Sequence, residues 1–154
     1  VKRAFIFSCF TGLRLSDIRQ LTWGQIREGK LYFRQKKTKG VEYLPLSNQA
    51  LKILDEIPKK DYEDINDLNV FDFSLLYSHT LGDKLRKWAT ASKVNKQITF
   101  HSGRHTFATL SIQYGVDLFT LSKLLGHKSI ANTQIYAKIV NEKLNEAVNK
   151  LPNF

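Results

Sequence analysis

The stretch that decides the fold is residues 101–136, HSGRHTFATLSIQYGVDLFTLSKLLGHKSIANTQIY. Two glycines, Gly115 and Gly126, are typical helix stops, and Asp117 is a typical helix cap. Between these signals the leucines recur at helical spacing, which predicts three consecutive helices. The predicted helices span about 102–114, 117–125 and 129–137.

Outside this stretch, apolar spacing and caps predict further helices and a single hairpin. Helices are predicted at 1–11, after a cap at Ser16, after a cap at Ser47 with a stop at Pro58, at 80–92, and at about 141–151. The strands are KLYFRQ, residues 30–35, and VEYLPL, residues 41–46. The fold class is therefore mainly α with a small antiparallel β-sheet (α+β), in one domain covering residues 1–154.

The charge of the chain points to a nucleic-acid partner. The net charge is +10 and the pI is near 9.7. Between Asp55 and Asp72 seven acids stand against two bases, so the remaining sequence carries 22 bases against 7 acids. This distribution favours a basic face that holds phosphates, with the acidic stretch turned away from them. A lysine-rich protein without such a role is the alternative that charge alone leaves open.

Cysteine usage and hydropathy indicate the compartment. The single cysteine, Cys9, cannot form an internal disulfide and suits a reducing compartment. The sequence has no apolar run long enough to cross a bilayer and no signal-peptide pattern. We therefore expect a prokaryotic cytoplasmic protein without a membrane partner. The chain also lacks methionine and opens in an apolar segment, which predicts that a further part precedes it.

Two arginines suit the binding of a phosphate. Arg14 lies in TGLRLSDI at the start of a predicted helix, and Arg104 lies in the first turn of another. A guanidinium offers a planar fork of donors to two phosphate oxygens, and helix N-terminal amides add to its charge. Taken alone, each arginine is more typical of a surface salt bridge than of a phosphate site.

Two further residues could carry chemistry on a phosphodiester. Tyr136 is the candidate nucleophile, because neighbouring cations can stabilise a phenolate. Lys37 lies near the tip of the predicted hairpin, in QKKTKG, where its ammonium could protonate a leaving alkoxide. The ordinary interpretation of Tyr136 is a core or half-buried tyrosine, and that of Lys37 is a residue of a solvated turn.

His101 and His105 raise a metal-binding alternative. Two histidines four residues apart on a helix can bind zinc, as in HExxH. Here Ser102 follows His101 where that motif has glutamate, and neither a cysteine nor an acid pair stands nearby. We therefore expect no metal and group His101 with Arg104, three residues away.

This ordered set resembles the tyrosine site-specific recombinases, also called phage-type integrases. The resembling residues are Arg14 in TGLRLSDI, Lys37 in KKT, His101 and Arg104 in HSGRHTFATL, His127 in LLGH, and Tyr136 in TQIYAKI. The similarity runs roughly from Phe5 to Leu151. Two details depart from the commonest pattern: Asp17 replaces a frequent glutamate, and Ser102-Gly103 replaces bulkier residues.

The resemblance implies a recombinase and topoisomerase IB-like catalytic fold and a mechanism without a cofactor. Tyr136 would attack a DNA phosphodiester, forming a 3′-phosphotyrosine and freeing a 5′-hydroxyl. Arg14 and Arg104 would hold the non-bridging oxygens, and His127 would donate a hydrogen bond to the same phosphate. His101 would assist proton transfer at the tyrosine.

Lysines complete the implied site. Lys37 would act as the general acid toward the leaving 5′-oxygen, with Lys36 or Lys39 as the alternative register. The lysines expected to contact DNA are Lys36, Lys39 and Lys128.

The resemblance also implies partners. It implies double-stranded DNA, an upstream DNA-clamping domain, and four protomers on two duplexes that exchange their C-terminal helices, whereas the domain alone is expected to be a monomer. The helix at about 141–151 would be the exchanged segment, with packing on its own core as the alternative.

Two rival functions remain at this point. A type IB topoisomerase shares the chemistry, but LLGH and the C-terminal helix favour a recombinase. A non-catalytic DNA-binding regulator could place the helices at 117–125 and 129–137 as a helix-turn-helix. Such a regulator has no use for the six-residue set.

Overall fold

The computed structural model describes residues 1–34, 41–58, 64–74, 76–136 and 149, and these are mainly helical. The helices are α1 Lys2–Thr11, α2 Leu15–Ile18, α3 Asn48–Asp55, α4 Ser78–Ala91, α5 Phe100–Gln113 and α6 Leu118–Leu124, with 3-10 helices at Trp23–Gln25 and Ile130–Tyr136. The strands are β1 Ile26–Arg27, β2 Lys30–Arg34 and β3 Val41–Pro45. The chain forms two units, residues 1–107 and 108–154.

The sheet is a three-stranded antiparallel meander in the order β1-β2-β3. Leu31 lies opposite Leu44, and both are buried; Tyr32 lies opposite Tyr43, and both are exposed. This alternation is the period of two that sets a half-buried sheet. The predicted fold class is confirmed, and β1 is the one strand that the sequence did not indicate, since two residues carry no alternation.

Helix α1 lies in the core of the first unit. The Phe5 ring centroid is 5.9 Å from that of Trp88 in α4 and 6.0 Å from that of Phe100 in α5. On another side, the Phe7 ring centroid is 5.4 Å from that of Phe71. Aromatic contacts on more than one side explain why this helix is apolar around most of its circumference. The predicted buried helix at 1–11 is confirmed.

Residues 64–74 form backbone hydrogen bonds with the segment that precedes β1. The Val70 N–H donates to the Leu21 carbonyl at 2.8 Å, and the Gly24 N–H donates to the Asn66 carbonyl at 2.9 Å. A Cβ on Gly24 would lie 3.0 Å from that Asn66 oxygen, so glycine is what allows the two backbones to approach. The end of the acidic stretch is thereby fastened to the first unit.

Two predicted helix caps are confirmed. The Ser47 hydroxyl accepts a hydrogen bond from the Ala50 N–H at 3.3 Å at the start of α3. The Asp117 carboxylate accepts from the Phe119 and Thr120 N–H groups at 2.8 and 2.9 Å at the start of α6. Side-chain capping of this kind is local, which is why the sequence reveals it.

Two predicted elements differ from the structure. Ser16 was expected to cap the second helix, but α2 starts at Leu15 and Arg14 occupies the cap position. The Ile18 N–H already donates to the Arg14 carbonyl at 3.0 Å, so helical bonding begins two residues earlier than expected. The predicted helix at 129–137 is a 3-10 helix.

Two predicted features lie outside the described residues. They are the lysine-bearing turn of the hairpin, residues 35–40, and, apart from Asn149, the C-terminal helix at about 141–151. In the part of the chain that the structure describes, no helix combines the length and apolar character needed to cross a membrane.

Candidate active site

Arg14 lies in a sharp turn between α1 and α2. Gly12 ends α1 in the left-handed conformation, with φ 68° and ψ 6°, and its N–H donates to the Ser8 carbonyl at 2.9 Å. A left-handed residue after a helix favours glycine because a Cβ would be strained there. Arg14 then caps α2 with ψ 152°, and its side chain is half-buried. The backbone therefore fixes where this guanidinium starts.

Arg104 connects α5 to the same turn. Its side chain is buried, with 4% exposure, and Nη1 donates to the Gly12 carbonyl at 2.7 Å. Hydrogen bonds from a charged donor are short and contribute about 1.5–3 kcal/mol. The buried guanidinium thus holds the turn two residues before Arg14. Arg104 was expected in the first turn of its helix, but α5 begins at Phe100, so it lies just past that turn.

Close packing of α1 against α5 makes this bond possible. A Cβ on Gly103 would lie 2.9 Å from Ser8 Oγ and 3.3 Å from the Phe5 carbonyl. Contacts this short leave no room for a side chain at position 103. The departure from the family pattern at Gly103 therefore has a structural reason, which is the approach of the two helices beside Arg104.

His101 lies in the first turn of α5 and is exposed. Its ring stands edge-on to that of His105, with centroids 4.4 Å apart and an interplanar angle of 85°. Among the described residues, no three or more side chains of His, Cys, Asp or Glu gather in a way that could hold a metal ion.

Cys9, the single cysteine of the sequence, lies within the first unit. Burial raises the pKa of its thiol to about 11, against an opposing hydrogen bond with Thr106. The thiol therefore stays protonated at neutral pH and is a poor nucleophile.

The second unit positions His127 at the end of α6. Gly126 is left-handed, with φ 58°, and its N–H donates to the Lys123 carbonyl at 2.8 Å. The His127 N–H donates to the Ser122 carbonyl at 3.0 Å. This pair of bonds is the Schellman motif, which closes a helix and fixes the residue after the glycine. The glycine of LLGH therefore serves to place the histidine.

Thr133 links His127 to the 3-10 helix that carries Tyr136. His127 Nδ1 and Thr133 Oγ1 lie 2.8 Å apart and share a hydrogen bond. A 3-10 helix has three residues per turn, so Thr133 and Tyr136 lie on one face. Both are buried, at 0% and 7% exposure, whereas Gln134 and Ile135 between them are exposed.

The structure thus brings the predicted site residues together in two groups. In the first unit, Arg104 is bonded to the turn that carries Arg14, and His101 lies one helical turn before Arg104. In the second unit, His127 is bonded to the helix of Tyr136, and Lys128 is exposed beside His127. The predicted residues outside the described part are Lys36, Lys37 and Lys39.

Sequence reasoning missed two residues of these groups, Ser8 and Thr133. Both are buried hydroxyl side chains that hold an element of the site. The only signal for Thr133 is its spacing of three from Tyr136 in a short helix. Nothing in the sequence marks Ser8.

Comparison with solved structures defines the class of this fold. The catalytic domain of bacteriophage HP1 integrase superposes with a TM-score of 0.68 and 24% identity, covering 97% of this chain and 81% of that one. The XerH site-specific recombinase, solved in a post-cleavage complex with its difH substrate, gives a TM-score of 0.72 and 23% identity, covering 97% and 45%. The fold is that of the tyrosine recombinase catalytic domains.

Sequence comparison gives the family. The sequence model of the phage integrase family matches residues 2–143, and the chain belongs to that family. The tyrosine recombinase XerC of Pediococcus pentosaceus is 33% identical over 150 residues, which is 91% of this chain and 50% of that protein. This chain therefore spans about half the length of that relative.

The regulator alternative is not supported by the second unit. A helix-turn-helix needs an α-helix as its second, exposed recognition element. The element at Ile130–Tyr136 is a 3-10 helix whose Thr133 and Tyr136 are buried. The described residues of this segment, 117–136, therefore do not form the helix-turn-helix that this interpretation requires.

Proposed function

We propose that the protein containing this chain is a site-specific DNA recombinase of a mobile element. It cleaves and rejoins DNA strands through a covalent 3′-phosphotyrosine. Family membership and the catalytic-domain fold support this proposal. The strongest support is the 2.7 Å hydrogen bond from Arg104 to the Gly12 carbonyl, because it holds the helix that carries Arg104 against the turn that carries Arg14.

In this mechanism Tyr136 attacks the phosphorus of a DNA phosphodiester. The new bond joins the phenolic oxygen to the 3′-phosphate, and the bond to the 5′-oxygen breaks. Arg14 and Arg104 hold the non-bridging oxygens and stabilise the charge of the transition state, with a hydrogen bond from His127. As in phosphoryl transfer generally, positioning and electrostatics supply most of the catalysis.

Two further residues move protons. His101 accepts the phenolic proton as Tyr136 attacks, and Lys37 gives a proton to the departing 5′-oxygen. The phosphotyrosyl bond retains the energy of the cleaved bond, so a 5′-hydroxyl from another duplex can attack it without ATP. The mechanism needs neither a metal nor another cofactor.

The partner in this proposal is double-stranded DNA, bound by four protomers on two duplexes. The XerH neighbour was solved bound to its difH substrate, and Lys128 is exposed beside His127 for a contact with the DNA backbone. Lys36 and Lys39 would add contacts from the hairpin. An upstream domain would clamp the duplex, in keeping with relatives twice as long. The isolated domain would be a monomer, and the site of action the prokaryotic cytoplasm.

Exchange of C-terminal helices between protomers is part of the same proposal. The second unit has apolar side chains on its surface that such a helix could cover: Phe119 at 62%, Ile130 at 45% and Ile135 at 66% exposure. Exposed apolar patches of this kind often mark an interface.

The test starts by finding the DNA site. The full-length protein is incubated with sheared DNA of its source organism, the mixture is denatured, and DNA that remains attached to protein is sequenced. A nicked suicide duplex with that sequence then gives a slowed band on a denaturing gel. We expect the band with wild type and its complete loss in Tyr136→Phe, because the nucleophile is gone.

Tyr114→Phe is the matched control, since Tyr114 lies in the same unit and is 86% exposed. It should keep the band. A band that persists in Tyr136→Phe would show that another residue is the nucleophile. Relaxation of supercoiled plasmid without joining of two duplexes would favour the topoisomerase alternative.

A further inference from the structure

We infer that Ser8 is a positioning residue for the proposed reaction, acting through both Arg14 and Arg104. The inference rests on the proposed function. Ser8 is fully buried in α1, at 0% exposure, and its Oγ donates to the Leu13 carbonyl at 2.9 Å. Leu13 directly precedes Arg14 and is itself buried, at 4% exposure. The Ser8 hydroxyl therefore holds in place the peptide group that joins Leu13 to Arg14.

The same side chain also sets the position of α5. Ser8 Oγ lies 2.9 Å and Ser8 Cβ 3.0 Å from the place where a Cβ of Gly103 would be. Gly103 directly precedes Arg104, whose guanidinium returns to Gly12 in the turn. Ser8 is thus in contact with Leu13, which precedes Arg14, and with Gly103, which precedes Arg104.

Serine is the side chain that meets both demands. Alanine would fit beside Gly103 but would leave the buried Leu13 carbonyl without its side-chain donor. A longer side chain would push α5, and Arg104 with it, away from the turn. A shift of about 1 Å in a positioned group can cost about 100-fold in rate, so a smaller shift at Arg14 should cost about tenfold.

The experiment compares Ser8→Ala with a control that destabilises the fold elsewhere. Ala50→Gly serves, because Ala50 is buried in α3 and glycine in a helix is unfavourable. Both variants of the full-length protein are measured for melting temperature, for affinity to the nicked suicide duplex, and for single-turnover cleavage of that duplex. We expect about tenfold slower cleavage in Ser8→Ala, with affinity within about twofold of wild type. Ala50→Gly should melt several degrees lower but cleave at the wild-type rate.

A second variant tests the same contact from the other side. Gly103→Ala keeps the serine hydroxyl but forces α5 away from α1, so it should also slow cleavage more than it weakens binding. In an Arg14→Lys background, Ser8→Ala should slow cleavage less than threefold further, because residues acting through a common group are not additive.

Several results would overturn the inference. It is overturned if Ser8→Ala cleaves at the wild-type rate, if it slows cleavage no more than Ala50→Gly does, or if it keeps its full tenfold effect in the Arg14→Lys background. The failure of the proposed function is a separate result: wild type would form no adduct that depends on Tyr136, and the inference would fall with it.

Discussion

Replacing Thr133 with valine tests whether the bond between His127 and the helix of Tyr136 serves the reaction. Thr133 Oγ1 lies 2.8 Å from His127 Nδ1, and Thr133 is fully buried, at 0% exposure. Valine has almost the same shape as threonine but puts a methyl group where the hydroxyl was. The imidazole would lose this partner, while the packing of the 3-10 helix would change little.

The size of the effect follows from the bond and from the burial of its partners. Removing one partner of a buried hydrogen bond costs about 1–3 kcal/mol. If the whole loss were felt in the transition state, cleavage would slow roughly 5- to 150-fold. His127 is only half-buried, so water can replace part of the lost bond. We therefore expect the lower end of this range, roughly 5- to 20-fold.

The assay is the single-turnover rate of covalent adduct formation on the nicked duplex. Thr133→Ser is the matched control, because it keeps the hydroxyl and loses one buried methyl group. It should lower the free energy of unfolding by about 1 kcal/mol yet retain most of the cleavage rate. The reasoning is refuted if valine cleaves as fast as wild type, or if serine and valine slow cleavage equally.

Two further predictions concern Asp117 and Lys37. Hydrogen bonds from the backbone and side chain of Thr120 lower the pKa of Asp117 in the folded protein from its ordinary value of 3.8. The ionised carboxylate therefore stabilises the fold fully above pH 3.8. This stabilisation is lost as the pH falls through the lowered pKa of the folded protein. Asp117→Asn should keep the cap at neutral pH and weaken the fall of melting temperature in acid; parallel acid profiles would contradict this. Lys37→Ala should slow cleavage, and a 5′-phosphorothiolate leaving group, which needs no general acid, should restore it; rescue of Lys36→Ala or Lys39→Ala instead would move the acid to that lysine.

Sequence predicted the elements whose signals are local. The caps at Ser47 and Asp117 act within three residues, and both were correct. The start of α2 was misplaced at Ser16, because it depends on the turn at Gly12. That turn is held partly by Arg104, 92 residues further along the chain. A bond of such sequence separation leaves no pattern in a single sequence.

The residues of the candidate site also divide into those that the sequence predicted and those that only the fold reveals. The residues proposed to do the chemistry are of reactive types, and the order of Arg14, Arg104, His127 and Tyr136 in the sequence predicted them. The side chains that hold them are ordinary hydroxyls, and only the fold gives them partners. Nothing in the sequence separates Ser8 from other buried serines, and Thr133 is marked only by its spacing of three from Tyr136.

The glycine at position 103, which departs from the family pattern, is explained by Ser8, a residue that the sequence did not single out. From the sequence, a small residue beside Arg104 was only a deviation from a pattern with bulkier side chains. In the structure, the space that such a side chain would need is taken by Ser8, 2.9 Å from where its Cβ would lie. A chain with a larger residue at 103 must hold α1 and α5 further apart, and its arginine would need another route to the turn. The glycine, the serine and the 2.7 Å bond from Arg104 to Gly12 are therefore one arrangement, and a change at one of them requires compensation at the others.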